Sequence, residues 1–390
     1  MNRNLWLLTA LQGLFLTNNV TFIAINGLVG LSMAPYAWMA TLPVMGYVVG
    51  GALATPLVAR SQMRWGRKVS FQLGLLVSLL ACAAAAWAVV VHSFWLLVAA
   101  TVVAGYYSAN GQLYRFAAAE LASAAAREKA VSLVLAGGLL GAIAGPNLAA
   151  HSRQWLSTPF LAAYLALAAL SVLGMLVLWG MRFPAHTTPT SQQGHGRSLW
   201  AIARQPTFVV ACLGAALGYG VMNLLMAATP LAMQQCGLGF GDAALVLEWH
   251  VIGMFAPGFF TGHLIKRWGT LPIMALGVLL NLLCIAVALA GVELHHFLVA
   301  LTLLGVGWNF LFTGSTTLAL ASYRPEEKDR AQAAINFAVF AVMSLSSLAS
   351  GALVITQGWS LLNWSSLPLM LLMAAALWWL QRQQRTSHSS

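Results

Sequence analysis

The chain has 390 residues, 60% of them hydrophobic and only 7% charged, with a net charge of +11 and a mean hydropathy of +0.80. So few charges cannot coat a globule of that size, which excludes a soluble enzyme. The Lys and Arg residues lie in short stretches between apolar runs rather than in one patch, which argues against nucleic acid and for contact with a lipid bilayer.

The first apolar run, near 5–31, exceeds a signal-peptide core and carries no cleavage site, so it reads as a first membrane span. Further runs follow near 36–59, 68–91, 93–114, 130–150 and 159–181. A stretch rich in Gly, Pro, Ser, Thr and Gln, 182–205, comes next. Six more runs lie near 207–233, 240–265, 270–291, 295–322, 331–356 and 359–381. Each reaches the ~20 residues that carry a helix across a bilayer, and none alternates with the period of a barrel strand. The expected fold is an all-α membrane protein of twelve helices in two six-helix halves, residues 1–181 and 206–390, joined by a cytoplasmic linker at 182–205. The four cysteines (Cys82, Cys212, Cys236 and Cys284) are scattered among these runs and form no disulfide framework.

With both termini placed inside, 18 of the 19 Lys and Arg residues fall in inward segments and Arg153 alone lies outside. Trp6, Trp38, Trp95, Trp155, Trp359 and Trp379 stand near span ends, where an interfacial aromatic belt belongs. These features place the chain across a membrane, multi-pass, with both termini on the cytoplasmic side.

The halves repeat one another. Arg64-Trp65-Gly66-Arg67-Lys68 follows span two, and Lys266-Arg267-Trp268-Gly269 follows span eight. Tyr114-Arg115 ends span four, and Tyr323-Arg324 ends span ten. Duplicated halves suit a carrier in which one half rocks against the other. The chain resembles the major facilitator superfamily along its whole length. Its loop after span two is similar to the superfamily's signature Gly-x-x-x-Asp-Arg-x-Gly-Arg-Arg/Lys, with Arg64, Gly66, Arg67 and Lys68 in place. Ala59 and Met63 stand where Gly and Asp are expected. The second copy has Gly262, Arg267 and Gly269, with Lys266 at the acidic position. The resemblance implies inner-gate loops at these residues.

Spans seven and eight carry the most unusual chemistry. Met222 and Met226 are four residues apart and share a helix face, as do His250 and Met254. At ~1.5 Å of rise per residue, Met222 and His250 each lie roughly 15 Å below the outer ends of their helices, near the middle of the bilayer. Thioethers and imidazole are soft or intermediate neutral ligands suited to monovalent copper. The methionine pair alone is ordinary packing. His250, an ionisable group in mid-span, is open to proton handling, substrate contact or a structural hydrogen bond. Met222-x-x-x-Met226 with His250-x-x-x-Met254 resembles the paired motifs of CcoA-like copper importers, which supply copper for haem–copper oxidase assembly. That resemblance implies copper uptake with these four residues as metal ligands.

Glu248 points about 200° away from His250 around its helix and, with Asp242, is a candidate for proton transfer or gating. Met233, Cys236, His295 and His296 form a candidate outer capture point. Asn110 and Asn309, in matching fourth spans, are candidate cavity residues. The expectation is a copper importer, not an enzyme. Copper is its cargo and it has no prosthetic group. A functional monomer is expected, served by a periplasmic or cytoplasmic copper chaperone. The rivals are a proton-coupled carrier of a small organic solute and a membrane copper receptor or assembly factor that does not transport.

Overall fold

The structure, a computed structural model, describes residues 3–36, 39, 42–152, 155–183 and 197–388. Arg153, Trp38 and most of the linker therefore lie outside the described residues. The ordered elements are helices: α1 (Arg3–Met33), α2 (Leu42–Val90), α3 (Phe94–Gly111), α4 (Tyr114–Leu121), α5 (Arg127–Ala136), α6 (Gly138–Ser152), α7 (Leu161–Trp179), α8 (Leu199–Ala203), α9 (Pro206–Gln235), α10 (Phe240–Phe255), α11 (Gly258–Trp268), α12 (Thr270–Ala290), α13 (Leu294–Leu320) and α14 (Lys328–His388). Among the described residues, nine segments are long and apolar enough to cross a membrane. α10 and α11, bent by 41° around Pro257, make one more. The 49-residue α2 breaks at Gly66 and so contains two crossings. α3 with α4 forms the remaining one. This is the twelve-crossing pattern.

The chain divides into two compact units, each of which borrows a short segment from the other half of the sequence. The first comprises Met1–Ala125, Gly137–Gly194 and Gln332–Phe340. In it α1 lies on α6, where Thr21 donates to the Gly145 carbonyl (2.9 Å), and on α7, where Tyr164 donates to Asn26 (2.7 Å). α2 and α3 meet through Gly50 and Gly105: a Cβ on Gly105 would land on the Gly50 backbone, and one on Gly50 would strike the Val102 carbonyl. Small residues at such a crossing let backbones touch where lipid supplies no hydrophobic drive. The borrowed segment covers Gly51 with Phe340 and reaches two buried arginines. Gln332 accepts from Arg67 (2.6 Å) and Asn336 from Arg115 (3.3 Å).

The second unit comprises Ala126–Ala136, His195–Ala331 and Ala341–Ser390. α13 is its centre, with α9, α10 and α12 all packed on it. Borrowed α5 lies against α11. There Ser132 donates to the Gly258 carbonyl and accepts from the Gly262 N–H (2.9 Å). Arg197, in the later part of the linker, donates to the buried Glu327 carboxylate from its backbone N–H (2.8 Å), Nε (2.9 Å) and Nη2 (2.7 Å). Trp6, Trp95, Trp155 and Trp379 are exposed as a lipid belt requires. Trp359 is not: it is buried, packs on Phe297 and donates Nε1–H to the Ala288 carbonyl (3.2 Å). An indole with a carbonyl in reach has no need of the interface.

The sequence repeat is also a structural one. Gly66 (φ 77°) and Gly269 (φ 90°) both sit in the left-handed region, which costs glycine little and other residues a good deal. Each ends its helix in the same way. Beside them Arg64 lies over Trp65 (5.6 Å) and Arg267 over Trp268 (5.7 Å).

Candidate functional site

The site in the second unit is built on the face that α10 turns to α13. Gly253 and Gly305 let the two backbones approach closely, and this holds His250 against α13. His250 is fully buried, and its Nδ1 lies 2.7 Å from the Leu301 carbonyl oxygen. A carbonyl only accepts, so Nδ1 carries the proton and Nε2 keeps its lone pair. Nε2 is buried without a hydrogen-bond partner among the described residues. An imidazole anchored by one nitrogen, with the other bare, is the arrangement of a histidine ready to ligate or accept. One turn on, the Met254 carbonyl accepts from Asn309 Nδ2 (2.7 Å), and Asn309 Oδ1 accepts from Thr261 (2.7 Å).

α13 also sets the register of α9. Gly214 faces Ser315 and Gly218 faces Leu311. Continuing antiparallel, Met222 falls beside the turn at 307 and Met226 near 303. His250 and Met254 meet α13 at 301 and 305–309, so Met226 lies at the level of His250 and Met222 roughly 9 Å further along α13, at the level of Met254. Met222 is buried, Met226 half-buried and Met254 buried. α9 and α10 touch one another much less than each touches α13. Within the first motif, Asn223 donates to Ser346 and Ser347 of α14 (both 2.9 Å), a tie the sequence did not single out.

An aromatic cluster lies at this level. Trp308 stacks on Phe312 (4.8 Å), and Tyr219 (5.4 Å) and Phe255 (5.7 Å) meet it edge-on. Trp308 is buried and its Nε1–H has no hydrogen-bond partner among the described residues. Tyr219 is half-buried.

The repeat offset of 203 residues that relates Gly66 to Gly269 also brings Asn19 onto Met222 and Tyr47 onto His250. In the first unit that pair is in contact: Asn19 Nδ2 donates to Tyr47 Oη (3.0 Å). Tyr47 was legible only through this offset, because nothing in its own neighbourhood marks it.

The other candidates fall as follows. Asp242 accepts from the Gly239 N–H (3.0 Å) and closes the first turn of α10. Glu248 is exposed, on the side of α10 away from His250. Asn110 and Asn309 are fully buried with both amide ends engaged. Asn110 accepts from Ser70 (3.1 Å) and donates to the Tyr106 carbonyl (3.1 Å). Met233 is buried and Cys236 exposed. The His295 and His296 rings lie close together (centroids 4.0 Å apart) and tilted by 35° at the start of α13. In the loop after span two, the acid missing at Met63 is supplied from elsewhere: Arg67 pairs with Glu120 at the end of α4 (2.6 Å) and also donates to Gln62. Lys68 caps the far end of α7 through the Trp179 (2.9 Å) and Met181 (2.8 Å) carbonyls.

The sequence matches the family model described as Major Facilitator Superfamily over residues 5–255 and 211–390. It is 36% identical over 377 residues, 96% of this chain and 95% of the other, to a protein of Brucella anthropi named riboflavin transporter RfnT. It is 27% identical over 385 residues, 93% and 87% of the two chains, to the Bacillus subtilis uncharacterized MFS-type transporter YddS. Its fold is like that of the human organic anion transporter MFSD10 (TM-score 0.78, 14% identity, 96% and 99% of the two chains). Twelve apolar crossings, duplicated halves and these matches agree: the chain belongs to the major facilitator superfamily and is a multi-pass membrane transporter, not an enzyme.

Proposed function

We propose that this chain carries a small, uncharged organic solute with a flat heteroaromatic ring, of the flavin class, by alternating access. The reading rests on the 36% identity that spans nearly all of this chain and of the protein named riboflavin transporter. The local chemistry suits such a cargo. Stacked Trp308 and Phe312, with half-buried Tyr219 beside them, offer the aromatic faces that a planar ring packs on. The Trp308 Nε1–H has a hydrogen bond to give, and ring carbonyls and ring nitrogens of a flavin accept one. The site in each unit carries no fixed charge, as a neutral cargo prefers.

Copper uptake is the second reading. One observation favours it: the bare Nε2 of His250, anchored through Nδ1, lies one helical turn from Met254 and near the level of Met226. In both readings the protein works in the inner membrane with its positive loops and both termini inside.

Purified protein in liposomes, assayed in parallel for riboflavin and for copper, separates the readings. Saturable riboflavin movement, reduced about tenfold or more by Trp308→Leu, supports the first. Copper accumulation that is lost in His250→Ala, without riboflavin movement, would replace it with the second. Movement of neither refutes both.

A further inference from the structure

We propose a binding site for a borderline divalent cation, zinc by preference, in the turn between α12 and α13, formed by Glu293, His295 and His296. The charge pattern places this turn outside the cell. The inference stands apart from the cargo reading, because the cluster lies at the end of α13 and not at the His250 level.

Local geometry brings the three side chains together. Glu293 is the N-cap of α13, with extended backbone (φ −82°, ψ 161°), and its carbonyl accepts from the His296 N–H (3.0 Å). N-cap and N3 side chains rise on the same side of a first turn. His295, between them, turns its ring onto that of His296, with centroids 4.0 Å apart. A Glu293 carboxylate oxygen then lies 3.3 Å from His295 Nδ1, and one ligand atom from each of the three residues falls within 4.8 Å of the others. Zinc holds nitrogen and oxygen ligands at ~2.0–2.2 Å in a tetrahedron, so its ligands stand roughly 3.3 Å apart. The Glu293–His295 pair already has that spacing. The third ligand needs about 1.5 Å of closure, which rotation about side-chain bonds supplies. Glu293 and His295 are 76% and 66% exposed, free to rotate and open to water for the fourth position.

His296 supplies a second observation. Its ring lies against Gly291, where a Cβ would collide with both ring nitrogens, and its Nδ1 is buried without a hydrogen-bond partner among the described residues. That ring is held in place by packing while part of its polar edge is unmet. A cation at a helix N-terminus opposes the helix dipole, but only by about 0.3–1 kcal/mol at an exposed site. One carboxylate and two imidazoles outweigh it, and they match the borderline softness of zinc better than that of magnesium or calcium, which prefer oxygen alone.

The test uses the full chain purified in detergent, with any affinity tag removed, and equilibrium dialysis against zinc at micromolar concentration. One saturable zinc per chain is expected. The double variant His295→Ala/His296→Ala should weaken binding by about 100-fold or more, since loss of even a supporting group around a metal costs 10–100-fold. Glu293→Gln should weaken it less, and His151→Ala, at an exposed histidine elsewhere, should leave it unchanged. All four positions accept change without loss of core packing, and matched melting curves verify that the variants are folded. No saturable zinc on the wild-type chain, or binding unchanged in the double variant, overturns the assignment.

Discussion

Substituting Gly305 by alanine tests whether the close approach of α10 and α13 is what places His250. A Cβ there would meet the His250 carbonyl oxygen first, then the Met254 nitrogen at 2.9 Å and the Gly253 carbonyl carbon at 3.0 Å. All three are backbone atoms of α10, so no side chain can swing aside. Ordinary contact begins at 3.4 Å, so the Met254 nitrogen alone demands a retreat of ~0.5 Å and the closer His250 oxygen about 1 Å, and overpacking of this kind costs about 1–3 kcal/mol. The 2.7 Å bond from His250 Nδ1 to the Leu301 carbonyl crosses the same interface. A retreat of that size stretches it to or past the ~3.2 Å limit of a good N–H···O bond, weakening a buried pair whose full loss costs ~1–3 kcal/mol. The expected outcome is a melting temperature lowered by several degrees and slowed riboflavin movement. Unfolding can be followed by dye labelling of buried Cys82 and Cys284 in a Cys236→Ser background, since Cys236 is exposed. Gly305→Val should lower both further. A Gly305→Ala protein that melts and transports like the wild type would refute the reasoning.

Two further outcomes follow from the same structure. Gly66→Ala and Gly269→Ala each force a side chain into left-handed backbone (φ 77° and 90°), and each should destabilise the folded protein by about 1–3 kcal/mol in thermal unfolding. Arg197→Ala removes the guanidinium's two donors, Nε and Nη2, and leaves the buried Glu327 carboxylate with only the backbone N–H groups of residues 197 (2.8 Å) and 324 (2.9 Å), whereas Glu327→Gln leaves an arginine that is 34% exposed and reaches water. Arg197→Ala should therefore melt lower than Glu327→Gln, by an amount on the order of 1–3 kcal/mol, and the reverse order would contradict the clamp.

The helices, their breaks and the duplication were legible in the sequence because lipid permits few alternatives. Backbone groups must be satisfied within each crossing, so an apolar run of sufficient length is a helix. The Trp-Gly pairs at 65–66 and 268–269 marked breaks that glycine geometry requires. Depth was legible only in part: rise per residue is fixed, but Met222 falls beside 307 of α13 while His250 reaches 301. Lateral order was not legible. Spans seven and eight are consecutive in sequence, yet α9 and α10 each pack mainly on α13. Chain connectivity does not choose neighbours among helices whose interfaces are set by small residues such as Gly253, Gly305 and Gly218. Exposure was misjudged at Trp359 for a related reason: the Ala288 carbonyl that receives its indole N–H lies 71 residues away. The flavin-class cargo proposed above has no signature in residue types, because aromatic and amide side chains in mid-span serve packing and helix ties equally well.

The internal repeat separates what the fold demands from what the cargo demands. Gly50 with Gly105 in the first half corresponds to Gly253 with Gly305 in the second, and both pairs seat one helix on another at contact distance. Arg64-Trp65-Gly66 corresponds to Arg267-Trp268-Gly269, with the same cation–π geometry and the same backbone sign. Asn110 and Asn309 both tie helices through fully engaged amides. These positions repeat in chemistry because they repeat in mechanical role. At Asn19 and Met222, and at Tyr47 and His250, the 203-residue offset that relates Gly66 to Gly269 holds but the chemistry does not repeat: an amide and a phenol bonded to each other in one half, a thioether and a one-sided imidazole in the other. Packing alone gives no reason for related positions in a duplicated scaffold to diverge in polarity. A cargo whose two ends differ does, as a flat ring joined to a hydroxylated chain does. On the proposed flavin-class reading, the divergence marks Asn19 and Tyr47 in one unit, and Met222 and His250 in the other, as the positions to test for contact with the cargo.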